Sequence, residues 1–167
     1  MKFYRILSLL VLPLMFTANA HATVSDGTVI AADEIRPYAE WVEENMNIHM
    51  VSLPITTASG HRLKTALGLH GVQQARAAAA YLPGQIVINN MIWDADSPVA
   101  QSYLVHELVH HAQLLSRKQY PCHAAKEREA YMMQNQWLTE HGESPIVSQE
   151  WIDKVSSCDS SNYYEAD

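Results

Sequence analysis

Ser97-Pro98-Val99-Ala100-Gln101-Ser102-Tyr103-Leu104-Val105-His106-Glu107-Leu108-Val109-His110 is the stretch from which the rest of the chain can be read. Ser97 is a side chain of the kind that caps a helix start, and Pro98 suits the first helical position, where the N–H it lacks has no intrahelical partner to lose. From Val99 to Leu115 there is neither Gly nor Pro, and Leu104, Leu108, Val109, Ala112 and Leu115 recur at helical spacing as an apolar stripe. The pattern predicts a helix, with Pro121 downstream as its stop. On it His106 and His110 stand four apart, about 40° around the axis, so both imidazoles leave one face and can offer nitrogens to a single ion. Glu107, one step along, faces the open side of that ion. A carboxylate there can take a proton from a water whose pKa a zinc ion has lowered to about 7, then return it to a leaving amine. Metal-assisted hydrolysis is the expected chemistry, with His106 and His110 as ligands and Glu107 as general base.

A catalytic zinc takes a third protein ligand and keeps one position open. The metzincin pattern, which continues with Gly and a further His, is absent: Gln113 and Ser116 stand at those positions. The next segment, Cys122 to Glu140, reads as a second helix ending at His141-Gly142, and it carries Glu127-Arg128-Glu129-Ala130-Tyr131. Over Ser97 to His141 the chain resembles the gluzincins, zinc peptidases whose third ligand is a Glu on a second helix, followed three residues later by a small residue that lets the helices approach. A compact member of that group is the nearest description. The resemblance implies an α+β fold in which a small β-sheet packs on the HExxH helix and a second, Glu-bearing helix, with one Zn2+ ion. Glu127 with Ala130 fits the ligand pattern. Glu129 is the rival, since it leaves eighteen residues after His110, the gluzincin aminopeptidase spacing, where Glu127 leaves sixteen. Glu127 is preferred because it shares a helical face with Ala130, Tyr131, Gln134 and Leu138, whereas Glu129 falls beside Met132, Gln136 and Glu140. Several gluzincins carry, where Tyr131 stands, an Asp that orients a ligand His, so the group that steadies the histidines here is unassigned. Tyr131, His123 and Tyr120 are candidates for polarising a substrate carbonyl, His123 because it lies one turn before Glu127. His111 points about 100° away from His110 and is expected at the surface or behind the ligands. His49, His61, His70 and His141 have no evident partners in the sequence.

Upstream, Gly84-Gln85-Ile86-Val87-Ile88-Asn89 is a β-branched run between Pro83-Gly84 and Asn89-Asn90, a strand by composition and punctuation. In gluzincins the strand before the HExxH helix is the edge of a small sheet and pairs with extended peptide. Strand addition of this kind draws affinity from backbone hydrogen bonds and selectivity from side-chain pockets. Gln73 to Tyr81, with Ala77 to Ala80 in a row, is helical by propensity yet equally placed to be the partner strand of a hairpin. Asp33 to Asn47 is expected as a first helix with Ile35, Tyr38, Ala39 and Val42 inward. Ile48 to Ile55 is expected as a strand, and Ser59 to Leu69 stands open between helix and loop.

The first residues resemble an export signal: Lys2 and Arg5, the apolar run Ile6 to Phe16 that is too short to span a bilayer, and Ala18-Asn19-Ala20 as a cleavage site, with a second site after Ala22. Residues 1–20 are therefore expected to be removed, leaving 21–167 as a single periplasmic or secreted domain without stable membrane insertion. About 145 residues is a one-domain length that can bury a core. Loss of Lys2 and Arg5 takes the net charge from −7 to −9, which disfavours nucleic acid and anionic membranes as partners. In an oxidising compartment the only two cysteines, Cys122 and Cys158, are expected to form a disulfide, with the polar tail from Ser156 held by it. The expected function is thus hydrolysis of a peptide or protein substrate. Two alternatives are an exported zinc- or peptide-binding module without catalysis, and a zinc amidase acting on cell-wall material. Glu107 argues against a purely structural site, which closes with four protein ligands and gains nothing from a base.

Overall fold

The computed structural model describes residues 24–68 and 77–159. The expected export signal, His70 and the first half of the Gln73–Tyr81 segment lie outside the described residues. In chain order the elements are β1 (Thr28–Ile30), α1 (Ala32–Met46), β2 (Ile55–Ala58), α2 (Gly60–Ala66), β3 (Ala79–Leu82), β4 (Gln85–Ile88), α3 (Pro98–Ser116), α4 (Ala125–Glu140) and α5 (Gln149–Val155). The fold is α+β: one small mixed sheet packed on a helical layer.

The strands run in the order β1-β2-β4-β3. β1 and β2 are antiparallel, β2 and β4 parallel, and β3 returns antiparallel to β4 as a hairpin in which Tyr81 faces Ile86. Gly84 closes that hairpin at φ +79°, a conformation glycine adopts without steric cost. The alanine run therefore ends in a strand, because pairing with the β-branched β4 outweighs the helical preference of alanine. It also corrects the expected edge: β4, the strand before the HExxH helix, lies inside the sheet, and β3 is the edge.

Period-two alternation splits β4 between two apolar layers. Ile86 and Ile88 enter the main core with Ile30, Ala58, Tyr38, Val42 and the α3 residues Leu104, Leu108 and Val109. Val87 points the other way, onto Ala80 and Leu63 of α2. α3 sits centrally, packed against α1, α4, β3 and β4. Its Leu104, Val105, Leu108 and Val109 are 0 % exposed, and burial of each such side chain stabilises by about 1.5–3 kcal/mol. The expected N-terminus is present, with Ser97 Oγ accepting from the Ala100 N–H at 3.4 Å and Pro98 opening the helix. Its end comes earlier than Pro121: Arg117 turns left-handed at φ 53° and caps the helix after Ser116.

Other boundaries differ for identifiable reasons. The segment expected as a strand from Ile48 is a loop up to Pro54, with Glu43 taking the Met50 N–H that a ladder would need and His111 donating to the Ser52 carbonyl. α2 settles the Ser59 segment as a helix, Ser59 Oγ accepting from Arg62. α4 starts at Ala125, after a turn over Cys122–Ala124. α5 was not expected. Ser148 caps it, Ile152 buries it, Arg128 pairs with Asp153 at 2.8 Å, and Asn135 holds Val147 through both its backbone groups. The Cys122–Cys158 disulfide closes the segment onto the start of α4, as the cysteine count predicted. Among the described residues no helix is long and apolar enough to cross a membrane.

Candidate metal centre

α3 and α4 form the most extensive helix pair, and Ala130, fully buried, is one of the small residues where they meet. That approach brings His106, His110 and Glu127 together, with one donor atom from each inside a 4.8 Å group that could hold a metal ion. The two Nε2 atoms are 3.2 Å apart, and each lies 3.3 Å from one of the Glu127 carboxylate oxygens. Glu129, the rival, is elsewhere: it accepts from Lys118, Tyr120 and Gln113 on the outer side of α4.

The protonation of the histidines follows from the network behind them. Gln113 Nε2 donates to the Lys126 carbonyl at 3.0 Å and to Glu129 at 3.1 Å, both pure acceptors, so its Oε1 faces His110 Nδ1 at 3.0 Å. An amide oxygen can only accept, hence Nδ1 of His110 carries the hydrogen. His106 is fixed in the same way. Ser102 Oγ donates to the Val99 carbonyl, which leaves it to accept from Gln134 Nε2 at 3.3 Å and turns Gln134 Oε1 to His106 Nδ1 at 3.2 Å. Both Nε2 atoms therefore present lone pairs to each other and to a carboxylate. Three acceptors at such distances repel unless a cation, either a proton or a metal ion, sits among them.

Without a metal, the proton fills that role. Burial opposes charge on His110, but its hydrogen bond to Glu127 and the Glu127 charge prevail and push its pKa up to about 9. Burial likewise opposes ionisation of Glu127, and the hydrogen bonds and charges of His106 and His110 overcome it, holding the carboxyl well below the usual range. Glu107 is raised, first by burial and then by the Glu127 charge, against the opposing influence of His106, His110 and the Tyr81 backbone N–H.

The surroundings form a cleft of about 500 Å³ whose lining includes His106, Glu107, Tyr103, Tyr131, Ile146 and Trp151. Edge strand β3 forms one side. Asn89 N–H bonds to Ala78 O, so in this antiparallel register Ala78, Ala80 and Leu82 face β4 while the backbone groups of Ala79 and Tyr81 face outward. The Tyr81 N–H reaches Glu107 from there. Ile146, Val147 and Trp151, from the segment after α4, also line it, and nothing in the sequence had pointed to them. Tyr131 lies edge-on to His106, ring centroids 4.4 Å apart, and burial followed by the charges of Glu127 and Glu107 pushes its phenol to about 12. It stays a donor at neutral pH.

One expectation is corrected and another is narrowed. His123 lies exposed in the turn before α4 and does not line the cleft, and Tyr120 is committed to Glu129 outside it. His111 is buried, not a surface residue: its Nε2 donates to Ser52 O, and its Nδ1 takes the hydroxyl hydrogen of Tyr81, pinning β3 to α3. Gln113 and Gln134 were the residues the sequence reading missed. Gln113 has one local signal, its place three residues after His110, which is common on any helix, and Gln134, 28 residues from His106 on the other helix, has none.

A family model described as a domain of unknown function, DUF6647, matches residues 28–164. No curated protein and no solved structure matches the chain.

Proposed function

The chain belongs to the DUF6647 family, and from the chemistry of its own site we propose that it is a zinc-dependent hydrolase cleaving peptide bonds. The single observation that carries this is the all-acceptor triangle of His106, His110 and Glu127 with a buried carboxylate, Glu107, beside it. The 3.2 Å between the two Nε2 atoms matches the edge of a tetrahedron around an ion bonded at 2.0–2.1 Å, about 3.3 Å, and the Glu127 carboxylate spans the pair, Oε2 3.3 Å from His106 and Oε1 3.3 Å from His110. Two imidazoles and one carboxylate are also the donor set of catalytic rather than structural zinc.

Zinc held there supplies Lewis acidity, polarising an amide carbonyl and making a neighbouring water easier to deprotonate. Glu107 receives that proton, its raised pKa placing it nearer the working range of a general base than an ordinary carboxylate, and hands it to the leaving amine. Tyr131, protonated and at the cleft, donates a hydrogen bond to the carbonyl oxygen as charge develops. With the Tyr81 N–H bonded to Glu107, the outward backbone N–H and C=O of Ala79 on β3 hold the substrate extended beside the base, which favours a peptide over other amides. Tyr103, Ile146 and Trp151 give the cleft apolar surface for substrate side chains. The chain acts after export, where its disulfide is stable.

The test is cleavage of a mixed peptide library by zinc-loaded protein and by Glu107→Gln. The variant should keep stoichiometric zinc and lose about 10²- to 10⁴-fold in turnover. A wild type that holds zinc yet cleaves nothing, with Glu107→Gln indistinguishable from it, would leave a zinc-binding module as the function.

A further inference from the structure

We propose that Gln113 is the positioning residue of the metal site, acting through His110, and that Glu129 is the anchor that fixes Gln113; the inference rests on the metal reading above. Gln113 is 2 % exposed, and its amide is fully engaged. Its oxygen takes the Nδ1 hydrogen of His110. Its nitrogen spans to α4, giving one hydrogen to the backbone carbonyl of Lys126 and the other to Glu129. Lys126 directly precedes the ligand Glu127. One side chain thus ties a ligand on α3 to the turn of α4 that carries another.

Glu129 makes the orientation one-way. A buried amide can flip at little steric cost, and flipping Gln113 would put an N–H against His110 Nδ1, forcing the hydrogen onto Nε2 and removing a metal ligand. Flipping would also set the amide oxygen against the Lys126 carbonyl and the Glu129 carboxylate. Glu129 is in turn held by Lys118 at 2.8 Å and by the Tyr120 hydroxyl, so it cannot swing away without breaking both. The residue that spacing offers as a rival ligand is therefore part of the same site at one remove. His106 has its own, separate amide in Gln134, which predicts that the two ligands fail independently.

The experiment measures zinc affinity by competition with a chelator, together with the His110 side-chain resonances of zinc-loaded, 15N-labelled protein. In the wild type His110 should bind zinc through Nε2 and show a slowly exchanging Nδ1 hydrogen. Gln113→Leu, close in volume and apolar, should weaken zinc by ten- to a hundredfold and lose the exchange protection at His110 while leaving it at His106. Glu129→Ala leaves Gln113 in place and should lower affinity by less, with His110 protection reduced; it carries the test if Gln113→Leu does not fold. Zinc affinity and His110 protection unchanged in the folded variants overturn the clamp and leave the metal reading standing. A wild type that takes up no zinc overturns both.

Discussion

On the zinc reading, proton and metal compete for the same point between His106, His110 and Glu127, and the competition has a calculable size. In the metal-free protein His110 holds its proton up to a pKa of about 9. The perturbation is therefore pH alone. Below pH 9 zinc has to displace that proton, so apparent affinity should rise tenfold per pH unit, about 30-fold between pH 7 and 8.5, or roughly 2 kcal/mol at 1.36 kcal/mol per unit. Glu127, already ionised, adds no second proton. The same linkage bears on stability. A group whose folded pKa lies above the 6.5 of a free histidine stabilises fully below pH 6.5 and loses that contribution as pH rises toward 9. For His110 the contribution is about 3 kcal/mol, so metal-free protein should melt progressively lower from pH 6.5 to 9, while zinc-loaded protein, with no proton at that point, should not follow it. Isothermal titration of zinc at pH 7.5 in buffers of different ionisation enthalpy should report close to one proton released per zinc. Zero release, with a flat melting curve for the metal-free protein, would refute the argument that the triangle needs a cation.

Three further outcomes follow from separate parts of the molecule. Glu127→Gln should lose zinc on dialysis and lower the melting temperature of zinc-treated protein, because a carboxylate ligand is gone, whereas Glu129→Gln should keep most of its zinc; metal analysis reads both. Ser97→Ala removes the cap of α3 and should cost about 1 kcal/mol, a drop of about 2–4 °C by calorimetry, without changing zinc stoichiometry. Replacing Cys122 and Cys158 by Ser opens a loop of sequence separation 36 and should cost about 3–4 kcal/mol in denaturant titrations, and it should raise KM more than it lowers kcat because the wall carrying Trp151 loosens.

What could be read in the chain depended on how far each signal reached. His106, Glu107 and His110 were legible because their spacing is a property of one helix, and Ser97-Pro98 marked where it starts. Glu127 required judging which face of α4 turns inward, and its same-face neighbours Ala130, Gln134 and Leu138 were enough to separate it from Glu129. The Ile48 segment was misread because composition does not show that Glu43 will take a backbone N–H from Met50. Ala77 to Ala80 carried a helical propensity that only the β4 partner could overrule. Gln113 and Gln134 escaped because their roles are set by what lies across the helix pair, and α5 because a short capped turn with one buried Ile152 has little periodicity to detect.

The lining contributed by Ile146, Val147 and Trp151 has a bearing on how the site is held together. Both helices that carry the candidate metal donors end by Glu140, while part of the cleft lining is contributed by later residues clasped through Asn135, Asp153 and Cys158. On the hydrolase reading the ion and the substrate are thus held by separate ties: opening the Cys122–Cys158 bridge should disturb the lining beyond α4 while leaving His106, His110 and Glu127 together between α3 and α4.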